Sequence, residues 1–307
     1  MSTETLLAST PKPDPRVDPQ VRRATAIGGT AILLWSTLAL LTALSQRIPP
    51  FQLLALSFGI SFVICTAVNA ARGKDVVGAL RQPWPVWALG VAGLFGYHFF
   101  YYLAFYLAPQ AKIEVNLLNY LWPLLIVLFS ALLPGERLKR GHIIGALCGL
   151  AGTVLIVAGN GLSIQADALP GYLSALACAV TWAAYSVLSR RFGNVPTEAV
   201  GGFCLATAVL AALCHPIFET TVVPTTNEWL AMLAMGIGPV GAAFFVWDHG
   251  VKRGDIRALG VLSYATPLSS TLLLILFGQA VGGWTVWAAC ALIIGGAVLA
   301  SRDVLRG

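Results

Sequence analysis

A dense group of aromatic side chains with one imidazole begins at residue 97. Residues 98, 101, 102 and 105 have the i, i+3, i+4, i+7 spacing of one helix face, so a helix here presents an aromatic wall with a single titratable group. Such a wall suits an apolar or aromatic molecule, and the imidazole can exchange a hydrogen bond or a proton with it. The group comprises Tyr97, His98, Tyr101, Tyr102 and Phe105.

Two later segments combine polar side chains with a proline at the same spacing. A proline inside a helix removes one backbone hydrogen bond, so a kink or a break is expected there. Such a break either assists packing or lines a cavity and offers backbone dipoles to a substrate. The two faces are Asn116, Asn119, Tyr120 and Pro123, and Gly260, Ser263, Tyr264 and Pro267. The matched positions of Pro123 and Pro267 predict a pair of hinges.

A third polar and aromatic face holds Trp182, Tyr185, Ser186 and Ser189, and Trp35 lies at a matched depth. Both tryptophans lie deep in apolar stretches, whereas most membrane tryptophans lie at the interfaces. We therefore predict a buried cavity with a substrate-binding set drawn from all these faces. The predicted set is Tyr97, His98, Tyr101, Asn119, Tyr120, Trp182, Tyr185, Ser263 and Tyr264.

The sequence offers little for catalysis. It has no Walker motif, no nucleophile elbow and no metal-ligand spacing, and the GxGxxG pattern at 236–241 lies in an apolar stretch without a preceding strand. We predict no catalytic set, no metal and no cofactor. An intramembrane enzyme that uses His98 or the Asp248–His249 pair as acid or base, and a passive channel, stay open as alternatives. The middles of the apolar stretches lack Lys and Arg, which favours a neutral or zwitterionic substrate with an apolar or aromatic part.

The elements that must position these side chains are membrane helices. The 307 residues are 57% hydrophobic and 10% charged, with a mean hydropathy of +0.79. A bilayer core requires about 20 apolar residues per helix, and backbone amides in lipid need internal partners. The composition therefore predicts an all-α integral membrane protein with ten transmembrane helices. They are placed at 24–46, 51–71, 84–107, 111–133, 141–160, 170–190, 196–215, 228–251, 256–278 and 283–301, after a disordered tail at 1–23.

The distribution of positive charge predicts the orientation. Of the 19 Lys and Arg residues, all except Arg47 and Lys112 fall on the same side as the tail. Positive residues collect on the cytoplasmic side of membrane proteins. We therefore expect the protein in the inner membrane of a bacterium, with both termini in the cytoplasm. This topology also explains the net charge of +6 without a nucleic-acid partner. The expected partners are the bilayer and a small-molecule substrate, and the protein is expected to be a monomer.

The chain repeats itself. A shift of 144 residues places Tyr120 and Pro123 on Tyr264 and Pro267, and a shift of 147 places Trp35 on Trp182. The halves are 24–160 and 170–302, with five helices each. Because five is odd, the second half enters the membrane from the opposite side, and the repeats are inverted. Two inverted copies can open a shared midplane site to each side in turn.

These features resemble the EamA-type carriers of the drug/metabolite transporter superfamily. The resemblance rests on the repeat, on the two Tyr-x-x-Pro motifs and on the run Pro134–Arg137, and residues Gly96–Tyr102 are most similar to bacterial exporters of aromatic amino acids. One departure is Gly278-Gln279, where the superfamily commonly has Gly-Glu. The resemblance implies a secondary active or facilitative carrier that exports aromatic or hydrophobic amino acids and related metabolites by alternating access. Other neutral amphipathic metabolites or drugs remain an alternative cargo.

Overall fold

The computed structural model describes residues 18–134, 138–157, 165–278 and 283–305, and within them every regular element is a helix. The α-helices are Pro19–Ser36, Leu38–Ala43, Pro50–Ala71, Val76–Leu80, Trp84–Val91, Tyr97–Leu107, Lys112–Asn119, Trp122–Ser130, Arg140–Val157, Leu169–Leu188, Val200–Phe218, Thr226–Ile237, Ala243–Arg253, Ile256–Leu262, Ala265–Leu276 and Trp284–Leu305. π-helical segments occupy Ala92–Gly96 and Gly238–Ala242, and 3₁₀ turns occupy Ala166–Ala168, Ser189–Phe192 and Thr197–Ala199.

These elements join into ten apolar spans, which confirms the predicted fold class. Among the described residues, eight runs are long and apolar enough to cross a membrane, and the shorter apolar segments Arg140–Leu155 and Val286–Leu299, within spans 5 and 10, complete the set. In chain order the spans are Pro19–Ala43, Pro50–Ala71, Trp84–Leu107, Lys112–Ser130, Arg140–Val157, Ala166–Phe192, Thr197–Phe218, Thr226–Arg253, Ile256–Leu276 and Trp284–Leu305.

The first span begins earlier than the hydropathy pattern predicts. Pro19 is its first residue, and the side chain of Asp18 accepts a hydrogen bond from the amide of Gln20 at 2.8 Å. This cap and the proline at the helix start stabilise a helical turn in a polar stretch. Residues 19–23 of the predicted tail are therefore helical. Residues 1–17 of that tail lie outside the described residues, as do 135–137 and Gln279.

The two halves carry the same helix irregularities at matched places. Span 3 has its π segment at Ala92–Gly96, and span 8 has one at Gly238–Ala242. Span 4 is interrupted at residues 120–121 and span 9 at residues 263–264. A π segment or a break leaves backbone groups without their usual helical partners. Each half therefore contains the same two backbone irregularities near the middle of the bundle.

The packing follows an approximate two-fold relation between the halves. Spans 2 and 7 pack together, as do spans 5 and 10, and the contact between spans 1 and 8 matches that between spans 6 and 3. Spans 1 and 8 are in close contact where Gly28 faces Gly250. We call the end that carries Asp18 and the connections 2–3, 6–7 and 8–9 the basic end. The opposite end, with the connections 1–2, 3–4 and 7–8, is the far end.

Candidate functional site

A cavity of about 700 Å³ opens within the bundle. It extends from Trp35 and Trp182 near the middle to Gln46 at the far end. None of the described residues that line it is an Asp, Glu, Lys or Arg. Its lining consists of Trp35, Leu38, Ala39, Thr42, Ala43, Ser45, Gln46, Ile48, Pro50, Leu53, Leu54, Ser57, Tyr97, His98, Tyr101, Tyr102, Asn116, Asn119, Tyr120, Trp122, Trp182, Met235, Pro239, Val240, Phe244, Thr266 and Ser270.

The floor of the cavity is a cluster of aromatic side chains, in which four surround Trp35. Their centroids lie 6.2 Å from Trp35 for Trp122, 5.6 Å for Trp182, 6.0 Å for Phe244 and 5.1 Å for Trp247. Most of these contacts are edge-to-face, which is a favourable arrangement for aromatic pairs. The cluster joins spans 1, 4, 6 and 8 and separates the cavity from the basic end.

The π segment of span 8 holds this floor in place. The indole Nε1 of Trp35 donates a hydrogen bond to the carbonyl oxygen of Pro239 at 3.0 Å. Pro239 lies within Gly238–Ala242, where the irregular backbone makes a carbonyl available to a side chain. The ring of Trp35 is therefore oriented by the opposite half of the protein.

His98 is held in the same way by the π segment of span 3. Its Nδ1 lies 2.7 Å from the carbonyl oxygen of Leu94. A carbonyl only accepts, so Nδ1 carries the proton, and Nε2 of the neutral imidazole is an acceptor. The ring packs edge-on against Phe58, with centroids 5.3 Å apart. His98 thus offers the cavity a fixed hydrogen-bond acceptor in an aromatic setting.

Span 4 orients the tyrosines of span 3. Asn119 donates from Nδ2 to the hydroxyl of Tyr97 at 3.3 Å, and Tyr101 donates to Oδ1 of Asn116 at the same distance. The rings of Tyr97 and Tyr101 are nearly parallel, with centroids 6.2 Å apart. The predicted aromatic wall is therefore one surface, connected by hydrogen bonds to the broken span 4.

Six of the nine predicted site residues line this cavity, namely Tyr97, His98, Tyr101, Asn119, Tyr120 and Trp182. Three do not. Tyr185 is buried behind Trp182, Ser263 donates to the carbonyl oxygen of Leu259 at 2.7 Å, and the hydroxyl of Tyr264 accepts from the amide of Leu124 at 3.2 Å. These three side chains are buried outside this cavity, Tyr264 against spans 5 and 10, and their role as substrate-binding residues stays a prediction.

The two predicted hinge prolines follow the helix interruptions. Pro123 comes just after the break at 120–121, and Pro267 just after the break at 263–264. The Leu124 amide, which has lost a regular helical partner near the break, donates instead to Tyr264 of span 9. The breaks are thus in contact across the two halves. The hinge role itself remains a prediction.

Several lining residues were not in the predicted set. Phe244 lies at the position of His98 when the π segments of spans 3 and 8 are aligned, so extending the repeat alignment to these spans would have found it. Trp122 lies inside the Tyr-x-x-Pro motif. Thr266 lines the cavity with a buried hydroxyl that has no hydrogen-bond partner among the described residues. This hydroxyl therefore has unused hydrogen-bonding capacity beside the cavity.

The enzyme alternative uses either His98 or the Asp248–His249 pair, and the structure places these at two separate sites. His98 lies in the cavity, whereas Asp248 lies at the basic end, where its Oδ1 is 2.9 Å from Nζ of Lys252. His249 contacts Arg253 at 3.2 Å. Within the described ranges, no group of three His, Cys, Asp or Glu side chains is arranged to hold a metal ion. The chemistry of the lining suits an uncharged or zwitterionic aromatic solute.

A ten-span bundle of two inverted halves around an uncharged aromatic cavity is the architecture of a membrane carrier. A sequence model described as the EamA-like transporter family matches residues 25–158 and again 169–302, and the chain belongs to this family. It is a multi-pass membrane transporter with a small-molecule substrate.

Several named proteins are similar over nearly the whole chain. One is the aromatic amino acid exporter YddG of Ancylobacter novellus, which is 59% identical over 280 residues, 91% of this chain and 96% of that protein. The aromatic amino acid exporter YddG of Escherichia coli is 26% identical over 93% of this chain and 99% of that protein. A crystal structure with 58% sequence identity superposes with a TM-score of 0.88, covering 93% of this chain and 98% of the other.

Proposed function

We propose that this protein exports aromatic and other hydrophobic amino acids and related metabolites from a bacterial cell, through alternating access about the cavity. The observation that carries the proposal is the cavity itself, with aromatic walls, polar but uncharged groups and the fixed acceptor of His98. Relatives named as aromatic amino acid exporters support the same cargo.

The cavity matches this cargo in size and chemistry. Its volume of about 700 Å³ lies within the range of small-molecule sites. A ring can pack against Trp35, Trp182 and Phe244. The ammonium and carboxylate groups of a zwitterion have no net charge to neutralise, and uncharged partners such as Asn116 and Thr266 suffice for their hydrogen bonds.

The orientation and mechanism belong to the same proposal. Because the Lys and Arg residues concentrate at the basic end, we place that end and both termini in the cytoplasm of the inner membrane. The cavity of this structure then faces outward. The protein works as a monomer, binds no nucleic acid, and moves its substrate without changing it chemically, so it is not an enzyme.

Efflux from proteoliposomes tests the cargo. We expect labelled L-phenylalanine to leave vesicles that contain the protein with saturable kinetics, and unlabelled L-tryptophan and L-tyrosine to compete. L-Lysine and L-glutamate should compete weakly, because the cavity has no counter-charge for a net charge on the side chain. Equal competition by unrelated amphipathic drugs would favour the wider cargo class. No efflux above that of empty vesicles would refute the proposal.

Replacement of His98 by phenylalanine tests the polar contribution of the wall. The ring and its packing against Phe58 are retained, while the Nε2 acceptor is lost. A lost hydrogen bond costs about 1 kcal/mol, so we expect KM for L-tryptophan to rise roughly fivefold, with little change in maximal rate. Initial rates of efflux measure this effect.

The control for His98→Phe is His249→Phe, which changes a histidine outside the cavity and should leave KM unchanged. An unaltered KM in His98→Phe would remove His98 from the binding site.

The prolines after the two breaks should affect conformational exchange rather than binding. Pro123→Ala restores a backbone amide that can close the interrupted turn of span 4. We expect the maximal rate of transport to fall about threefold or more, while the affinity for L-phenylalanine measured by tryptophan fluorescence changes little. Pro216→Ala, in the last turn of span 7, is the matched control and should keep the parent rate. Normal transport by Pro123→Ala would refute the hinge.

A further inference from the structure

The closed half of the bundle contains a surface that repeats the cavity wall. The shift of 147 residues that places Trp35 on Trp182 also places the cavity residues Leu38, Ala39 and Thr42 on Tyr185, Ser186 and Ser189. The π segments of spans 3 and 8 differ by 146 residues, and this shift places the cavity residues Tyr101 and Tyr102 on Trp247 and Asp248. We call Tyr185, Ser186, Ser189, Trp247 and Asp248 the basic-end wall.

The basic-end wall is buried but polar. Trp247 and Ser186 are fully buried and paired, since Nε1 of Trp247 donates to Oγ of Ser186 at 3.1 Å. The hydroxyl of Tyr185 is buried without a hydrogen-bond partner among the described residues. A buried hydroxyl without a partner has a free-energy cost, which a bound solute or water can remove. Such polarity is unusual for a surface whose only purpose is permanent packing.

Span 8 is held against its neighbours at this end by charged groups. Asp248 accepts from Oγ1 of Thr197 at 2.8 Å, and Nζ of Lys252 donates to the carbonyl oxygen of Val195 at 3.2 Å. Arg190 of span 6 donates to the carbonyl oxygens of Val251 and Gly254 at 3.1 and 2.8 Å. These contacts connect span 8 with span 6, the 6–7 connection and the start of span 7.

The far end has no matching set. The counterparts of Thr197, Asp248 and Arg190 under the same shifts are Pro50, Tyr102 and Ala43, all of which line the open cavity. None of the three can form an ion pair. Polar contacts at the far end, such as those of Glu219 with the amides of Phe51 and Gln52, join other elements, so this set around Asp248 is specific to the basic end, which is closed in this structure.

We propose that the basic-end wall is a second substrate-facing surface. When the carrier changes state, this wall lines a cavity that is open to the basic end, and Asp248 binds the ammonium group of the substrate in that cavity. The inference rests on the proposed carrier function. Opening separates span 7 from span 8, so Oδ2 of Asp248 loses Thr197 and can accept from a solute, while Oδ1 keeps its ion pair with Lys252 of the same helix. The rings of Trp182, Tyr185 and Trp247 remain beside it for an aromatic group.

Thiol labelling at two matched positions tests the wall. Ser189→Cys reports on the basic-end wall, and Thr42→Cys, its counterpart in the open cavity, is the control. A membrane-impermeant maleimide is applied to right-side-out or to inverted membrane vesicles, and labelling at each position is read by peptide mass spectrometry with the native cysteines in place. We expect positions 42 and 189 to react from opposite sides of the membrane.

A second experiment weakens the contact between Thr197 and Asp248, which holds the basic end closed. Thr197→Val removes the hydroxyl and keeps the shape, so the basic end should open more often. We expect the labelling rate at position 189 to rise about fivefold or more and that at position 42 to fall. Failure to label position 189 in either background, or labelling from the same side as position 42, would overturn the proposal.

Two small probes test the chemistry of Asp248. In the Thr197→Val background, phenylethylamine should slow labelling at position 189 at least threefold, whereas 3-phenylpropionate, which lacks an ammonium group, should not. Equal protection by both, or by neither, would overturn the role of Asp248. The labelling requires no amino acid and no flux. If the expected labelling is absent but phenylalanine is still transported, only this inference is refuted. If the labelling is as expected but phenylalanine is not transported, only the proposed cargo is refuted.

Discussion

Replacement of Trp182 by alanine is expected to lower transport of L-phenylalanine at least tenfold. Trp182 contacts Trp35, Trp122 and Trp247 in the cavity floor, with centroids 5.6, 6.4 and 6.2 Å away, and Tyr185 behind it at 5.2 Å. The side chain thus belongs both to the open cavity and to the surface beneath it. Its removal deletes a ring contact for the substrate and opens the partition between the two sides.

Two variants separate this effect from a general loss of structure. Trp84→Ala removes a tryptophan that is 78% exposed at the start of span 3, and it should transport at the parent rate. Trp182→Phe retains an aromatic ring and should recover part of the activity. Thermal stability of each purified variant shows whether the protein is folded. A folded Trp182→Ala protein with parent activity would contradict the assignment of the cavity as the substrate site.

Gly28→Ala is expected to destabilise the protein strongly. A methyl group at Gly28 would lie 2.8 Å from Cα of Gly250, on the backbone of span 8, where no flexible side chain can move aside. The two helices must separate to admit it. Overpacking of this kind costs about 1–3 kcal/mol, so the melting temperature in detergent should fall by several degrees. Thermal challenge followed by size-exclusion chromatography measures the shift.

The adjacent residue is the matched control. A methyl group at Gly29 meets nothing within 4 Å, and alanine is a better helix former than glycine by about 1 kcal/mol. Gly29→Ala should therefore retain or slightly raise the melting temperature. If Gly28→Ala and Gly29→Ala behaved alike, the close contact between spans 1 and 8 would be refuted.

Much of the fold follows from composition and periodicity. The ten spans, their helical character and the deep position of Trp182 were predicted because apolar length and depth are local properties of the chain. The helix breaks before Pro123 and Pro267 were also expected, since proline cannot complete the backbone ladder. The pairing of spans across the halves is consistent with the matched motifs.

The set of residues that line the cavity could not be predicted fully, because it depends on the conformational state of the protein. Spacing predicts which residues share a helix face, but it does not say which neighbouring helix covers that face or which end of the cavity is open. In this structure the cavity opens to the far end, and Tyr185, Ser263 and Tyr264 are buried, Tyr264 against spans 5 and 10. The π segments at Ala92–Gly96 and Gly238–Ala242 were also not predicted, because a local change of helical register leaves the apolar pattern almost unchanged.

Counterflow is the most direct test of a carrier that works by alternating access. Proteoliposomes are loaded with excess unlabelled L-phenylalanine and diluted into a trace of labelled L-phenylalanine. We predict transient accumulation of label inside the vesicles above the external concentration, without chemical change of the amino acid, and its loss in Trp182→Ala. Label that only equilibrates would indicate a channel, and label that is converted to another compound would indicate an enzyme. Either result would contradict the carrier proposed here.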